Sequence, residues 1–439
     1  MLLKLKKTLL NGVISEAIVY SIANALNRGT ILLITPLLLL AYSIEEVGRI
    51  SVIYAISQFV MPFLLVGMSA AIVREGVGNS KSIDYLSIQT YKAVIFLFLV
   101  VLLANELFVA KHLWYTRYAI LIGGANALFE VFLTSMRAKN EKKIFSFFCF
   151  LKSILIILAV VIAIFTKVDI DLLCLLLFFS TLFVFAISIL IIKPVPLSDG
   201  GVTYRKCVKY SSFLIPHAIA VWALSSSDKI IIDYFLSDYE LGIYSIAYTF
   251  GMFLIIVNSG IALALPRYVF SDIEKYSGLT ERNKFVTFYT GLYITLSLFM
   301  EFFFWVDRLF LGMLPEDKQV YEIFRIIAVG IYFSGLYHFY SLYIMYEKKT
   351  KLISTISMLV AIFNILLNYF LIPKYGIIVA AYTTVFSYLL YFIFIFYTSC
   401  KIRKSLKVGM FQHILLIAFL AIAYTCLLFL SGILFSLLD

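Results

Sequence analysis

Thirteen stretches of roughly twenty mostly apolar residues run through this 439-residue chain, and a helix of about that length is what crosses a bilayer. Hydrocarbon supplies no water to backbone amides, so stretches of this kind are restricted to helices whose hydrogen bonds close within the segment. In the first half the expected crossings are 14–40, 47–68, 88–109, 118–136, 144–165 and 172–192. The second half supplies 213–235, 242–265, 285–306, 320–346, 352–372 and 377–397, and a thirteenth covers 414–437. With 63% hydrophobic and 14% charged residues, the chain is excluded from the water-soluble globular class. The expected fold class is an all-α integral membrane protein.

Charge placement tests that count. Basic residues cluster in short segments between the apolar runs, and Lys and Arg collect on the cytoplasmic side of membrane proteins. With the N-terminus placed in the cytoplasm, inside segments hold 25 Lys and Arg and outside segments hold 7. One miscounted helix in mid-chain would move every later loop to the other side and erase that split. The topology therefore puts the N-terminus inside and the C-terminus outside. The net charge of +11 is explained by topology and gives no reason to expect nucleic acid as a partner.

A nine-residue echo divides the chain. Glu46-Val-Gly48-Arg-Ile-Ser51-Val-Ile-Tyr54 recurs as Glu240-Leu-Gly242-Ile-Tyr-Ser245-Ile-Ala-Tyr248, an offset of 194 residues (240 − 46), each copy at the start of an apolar run. A duplicated multi-helix unit is how many transporters are built, with the substrate path running between the halves. The expected organisation is an N-lobe of six helices over 1–192, a cytoplasmic linker over 193–212 and a C-lobe of six helices over 213–398. A basic loop and one extra C-terminal helix occupy 399–439. That helix has no counterpart in the first half and reads as an appendage. Pro194, Pro196 and Asp199-Gly200-Gly201 make the linker a natural hinge.

No phosphate-binding loop, no GxSxG, no HExxH and no cysteine or histidine cluster is present in the sequence. The five cysteines form no CxxC pair and read as small packing residues. No cofactor or metal is expected, and the chain does not read as an enzyme. The better signals are ionisable residues within apolar runs, each costing about 2.5–3.5 kcal/mol at the bilayer centre on insertion scales. Arg28 lies mid-way along the first run, with Asn24 one helical turn before it on the same face. Ser225, Asp228 and Lys229 form a polar belt in the seventh run, with His217 eleven residues before Asp228. Lys152 in the fifth run is expected to pair with Glu130 in the fourth. Arg325 and Glu301, near helix ends, are expected to snorkel to the interface. Asn364 and Asn368 form an i, i+4 amide pair suited to interhelical hydrogen bonding or to lining a cavity. Arg28, Lys152 and Lys229 are the cations expected to bind substrate. Asn24, Ser225, Asp228, His217, Asn364 and Asn368 are the polar or gating residues.

Two stretches carry a resemblance. Asp228-Lys-Ile-Ile-Ile-Asp-Tyr-Phe-Leu-Ser-Asp-Tyr-Glu240-Leu-Gly242-Ile-Tyr-Ser245-Ile-Ala-Tyr248 and Asn368-Tyr-Phe-Leu-Ile-Pro-Lys-Tyr375-Gly376-Ile-Ile-Val-Ala380-Ala381-Tyr-Thr-Thr384 resemble signatures of bacterial polysaccharide (O-antigen type) flippases. These belong to the multidrug/oligosaccharidyl-lipid/polysaccharide exporter superfamily. Val379, where members often carry glycine, and the thirteenth helix depart from the pattern. The resemblance implies a flippase of the bacterial cytoplasmic (inner) membrane that moves an undecaprenyl-pyrophosphate-linked oligosaccharide to the outer leaflet for O-antigen or capsule synthesis. It implies a lipid-linked oligosaccharide, the bilayer and a coupling ion, proton or sodium, as partners, and a polysaccharide polymerase and chain-length regulator nearby. The alternatives are a multidrug or other lipid-precursor exporter of the same fold, or a membrane oligosaccharide polymerase. The last lacks the large outer loop it would need, since 307–319 is the longest outer loop here.

Overall fold

The structure, a computed structural model, describes residues 34–75, 80–109, 113–192, 204–212 and 214–437, together with Ala23, Asn27 and Thr30. No strand occurs among the described residues. The helices are α1 (Ile44–Leu65), α2 (Met68–Glu75), α3 (Ser80–Phe108), α4 (Tyr115–Ala138), α5 (Lys142–Thr166), α6 (Ile170–Ile189), α7 (Tyr204–Ser212) and α8 (Ile215–Phe235). They continue with α9 (Asp238–Ser271), α10 (Ile273–Ser277), α11 (Leu279–Val306), α12 (Lys318–Tyr346), α13 (Thr350–Tyr375), α14 (Ile377–Ile402) and α15 (Met410–Leu437). Ten of the described helices are long and apolar enough to cross a membrane, so the chain is a multi-pass membrane protein. The expected crossing 14–40 falls largely outside the described residues; within it Ala23, Asn27, Thr30 and residues 34–38 are helical. Each of the other twelve expected crossings falls on one of these helices.

The repeat has a local cause that the echo only partly displayed. Ser43 begins α1 and Ser237 begins α9, and each accepts from the amide three residues on, Glu46 N at 3.3 Å and Glu240 N at 3.3 Å. The two glutamates reach back to the amides of Ser43 (2.8 Å) and Ser237 (3.1 Å), completing a capping box at both sites. Free amides at a helix start are thereby satisfied, and a capping serine is worth about 1 kcal/mol.

Contacts divide the chain into two units, Met1–Trp222 and Ala223–Asp439. In the first, α4 packs against α1, α3 and α6; in the second, α12 packs against α9 and α14. Counting from the capped motif, α4 and α12 are each the third long helix.

The core of the second unit carries many buried polar side chains, and several of them bond one another across helices. Asn258 on α9 donates from Nδ2 to Ile331 O (3.0 Å) and Ser334 Oγ (2.9 Å) on α12. Its Oδ1 accepts from Tyr289 Oη (3.0 Å) and Tyr293 Oη (2.6 Å) on α11. A branched amide has donors and an acceptor on one terminus, so a single residue can link three helices. Gly335 makes room for this junction: a Cβ there would lie 1.8 Å from Tyr289 Oη and 2.4 Å from Asn258 Oδ1.

The thirteenth expected crossing, α15, is part of this unit and not an appendage. Tyr424 on α15 and Ser297 on α11 are hydrogen-bonded through their hydroxyls at 2.8 Å. His413, fully buried, bonds Tyr340 Oη through Nε2 and Asn283 Oδ1 (2.5 Å) through Nδ1. Arg282, also fully buried, donates to Leu406 O (3.0 Å) and Val408 O (2.7 Å) in the turn that leads into α15. Arg403 gathers Glu274, Glu347 (3.1 Å) and Ser277 Oγ (2.9 Å) just before that turn.

Arg325 and Glu301 do not snorkel. They pair with each other, Nε to Oε1 at 2.7 Å and Nη2 to Oε2 at 2.9 Å, with the Glu301 side chain only 1% exposed. Gly432 of α15 lies over the guanidinium, whose Cζ would be 2.1 Å from a Cβ placed there. Two charges facing each other across α11 and α12 remove the need for either to reach the headgroups.

Two outcomes are expected in thermal unfolding of the purified protein. Gly335→Ala should destabilise by about 1–3 kcal/mol, while Gly291→Ala, where a Cβ meets nothing within 4 Å, should leave the midpoint unchanged or raise it. Glu301→Ala should cost about 3–5 kcal/mol by stranding the arginine, and Glu301→Leu with Arg325→Leu should recover most of it. Equal midpoints for Glu301→Ala and the double variant would contradict the pairing.

Candidate functional site

Arg28 and Asn24 lie outside the described residues. Around that stretch the structure places Thr30 Oγ1 2.9 Å from Ser153 Oγ on α5, and leaves the buried Asn27 Oδ1 without a hydrogen-bond partner.

One residue before Ser153, Lys152 is buried, with Nζ bonded to Asn126 Oδ1 on α4 at 2.7 Å and 5.1 Å above the ring of Phe129. The expected pairing with Glu130 does not form. Glu130 accepts instead from Arg137 Nη2 at 2.7 Å, two turns along the same helix face, with Thr134 between them on that face. A carboxylate with a long, flexible cation on its own face has no need of a neighbour, so Lys152 is held by an amide oxygen and a π-face.

The second unit holds a parallel arrangement on α8 and α9. Asp228 accepts from Tyr244 Oη and from the amide of Lys229 at 2.9 Å. Lys229 Nζ sits 5.1 Å over the ring of Tyr248. Successive residues on a helix point about 100° apart, so Asp228 and Lys229 face different neighbours and do not pair through their side chains. Both tyrosines come from the second copy of the repeat, one helical turn apart. Sequence reasoning singled out the motif as a marker of duplication and missed that Tyr244 and Tyr248 support the charged pair; their i, i+4 spacing beside an apolar run with adjacent Asp and Lys was the available signal. Phe129 carried no such signal.

The remaining expected residues are placed as follows. Ser225 Oγ lies 3.4 Å from Ser226 Oγ, within a serine run on α8 where Ser227 bonds back to Ala223 O (2.7 Å). His217 lies half-buried near the start of α8, in the first unit. Asn364 and Asn368 are fully buried and fully engaged: Asn364 Nδ2 donates to Ser387 Oγ (2.9 Å), Asn368 Nδ2 to Asn364 Oδ1 (3.2 Å), and Thr383 Oγ1 to Asn368 Oδ1. They join α13 to α14. Among the described residues, no group of three His, Cys, Asp or Glu side chains is arranged to hold a metal ion.

Each unit thus holds one buried ammonium group over an aromatic ring, and neither is in an ion pair with a described carboxylate. The quadrupole of a π-face offsets part of the hydration a buried cation has lost, while its charge stays available. Such a group can receive an anion without first breaking a salt bridge.

No protein-family model and no curated protein matches the chain. Solved structures do. A lipid II flippase, MurJ, in an inward closed conformation is 15% identical with a TM-score of 0.67, covering 95% of this chain and 98% of that one. An inward-facing multidrug-resistance MATE transporter of the MOP superfamily is 14% identical with a TM-score of 0.61, covering 91% and 98%. The bent form of the Vibrio cholerae MATE transporter VcmN is 14% identical with a TM-score of 0.57, covering 90% and 98%. Nearly the whole chain therefore shares the fold of these membrane transporters.

Proposed function

We propose that this protein is a flippase that carries an undecaprenyl-pyrophosphate-linked oligosaccharide across the bacterial cytoplasmic membrane, for surface polysaccharide synthesis. The observation that carries the reading is the pair of buried lysines, Lys152 and Lys229, without carboxylate partners among the described residues. An ammonium kept inside a membrane protein with no carboxylate in direct contact is costly unless an anion arrives to meet it. A pyrophosphate linked to a sugar is such an anion, and it cannot cross hydrocarbon unaided. The polyprenyl tail stays in lipid while the head group is met in turn by Arg28, Lys152 and Lys229. Alternate exposure of the polar interior to the two sides of the membrane completes the movement. Asp228, braced by Tyr244, is the carboxylate through which a coupling ion, proton or sodium, acts.

The likeness in fold to a lipid II flippase over almost the full chain supports a lipid-linked cargo. The likeness to MATE transporters favours a second reading, export of a multidrug or other lipid-precursor substrate. The first reading includes a cytoplasmic N-terminus and implies a polymerase and chain-length regulator acting downstream.

In cells that depend on this chain for surface glycan, Arg28→Ala should abolish the glycan while the protein remains in the membrane at its normal level. Lys152→Ala and Lys229→Ala should each lower glycan export at least tenfold by removing a desolvated charge contact, a loss of roughly 1.4 kcal/mol or more. Lys→Arg at either position should retain most of it. Normal glycan in all three alanine variants, with loss of drug resistance instead, would favour the multidrug reading.

A further inference from the structure

The short helix α7, Tyr204–Ser212, does not cross the membrane, and its two faces have opposite character. Cys207 and Ser211 are buried, and Tyr204 and Val208 pack partly against the same hydrophobic cluster of the first unit, which includes Met136, Phe145 and Ile192. Arg205, Lys206 and Lys209 are exposed on the other side. Positions i, i+1 and i+4 share one face of a helix, so three cations point the same way.

That orientation is built rigidly. The chain breaks between α1 and α2 at Val66 (φ 49°) and Gly67 (φ 67°), two successive left-handed residues. A Cβ on Gly67 would lie 2.3 Å from Ser211 O, so the last turn of α7 rests directly on the backbone of this corner. With Cys207 and Ser211 fixed inward, the helix cannot roll to hide its cations. None of the three makes an ion pair with a described carboxylate. Asp84, in the first turns of α3, is taken by Lys139 at 2.5 Å. Arg74, at the end of α2, and Lys81, at the start of α3, are exposed on elements that pack at the same end of the unit.

The height of the helix is set by its neighbour. Only residues 213 and 214 separate α7 from α8, an expected crossing that begins at Ile215. The cationic face is therefore held at the edge of the hydrocarbon, where phospholipid phosphates lie. An excess of basic residues in a loop would meet the topology rule without any such construction; a helix with one face buried, one face uniformly basic and a glycine notch to seat it is more than that rule requires.

We propose that the Arg205, Lys206 and Lys209 face of α7 is a docking surface for anionic phospholipid headgroups, which pin the connection between α6 and α8 to the membrane surface. The recognised chemistry is phosphate, arrayed in a plane and attached to lipid. The proposal does not depend on what the protein transports.

The test uses the full-length protein in uncharged detergent, titrated with phosphatidylglycerol or with phosphatidylcholine, reading the thermal unfolding midpoint and the number of bound lipids by native mass spectrometry. Phosphatidylglycerol should bind and raise the midpoint, phosphatidylcholine should not, and the effect should weaken as salt rises. A triple variant, Arg205→Gln with Lys206→Gln and Lys209→Gln, should keep the wild-type midpoint in phosphatidylcholine and need roughly a hundredfold more phosphatidylglycerol for the same shift. Arg205→Lys should behave as wild type. The proposal is overturned if the triple variant responds to phosphatidylglycerol as the wild type does. It is equally overturned if inorganic phosphate at matched concentration produces the full shift, because the face would then be a site for a free anion.

Discussion

Inside a bilayer no water is available to complete a hydrogen bond or to spread a charge, and this one restriction organises the molecule. Backbone groups are satisfied by the helices themselves. Side chains that carry a charge or an amide must find partners, and several of them do so across helices. Asn258 holds three helices together through one amide, and the Arg325–Glu301 pair closes on itself under Gly432. Arg282 donates from its two terminal nitrogens to the carbonyls of a turn. Each of these substitutes for a solvation shell that the lipid cannot supply.

Against that background the lysines stand apart. Lys152 has an amide oxygen and a phenyl ring; Lys229 has a tyrosine ring. Where so many other embedded polar groups are matched with a complementary group, these two cations are left with partial compensation, and the proposed meeting with an anion rests on that difference. Their positions differ in origin. Lys152 is held by Asn126 and Phe129 of α4, while Lys229 and Asp228 lean on tyrosines of the repeated motif, which therefore both starts a helix and supports these two side chains.

The membrane crossings could be read from the sequence because their cause is local: length, apolarity and alternating loop charge are properties of consecutive residues. The capping boxes at Ser43 and Ser237 went unread although their cause is equally local, a cap and its glutamate being three residues apart. Ion-pair partners could not be read in this way. Glu130 chose Arg137 over Lys152, and Arg325 chose Glu301 over the interface, because the decision rests on which helix faces meet, and periodicity within one helix does not contain that information. The status of α15 was misjudged in the same way: a helix without a counterpart in the repeat has no partner that a sequence comparison within the chain can name, yet Tyr424 and His413 place it firmly against α11 and α12.

By itself the sequence determined that this chain is a helical membrane protein with a duplicated plan, basic loops alternating with spans, and a few ionisable residues too costly to be incidental. Tertiary structure alone decided which of those residues neutralise one another and which are left open, because a charge in hydrocarbon takes its meaning from the groups within a few ångströms. Those groups come from helices far apart in the chain.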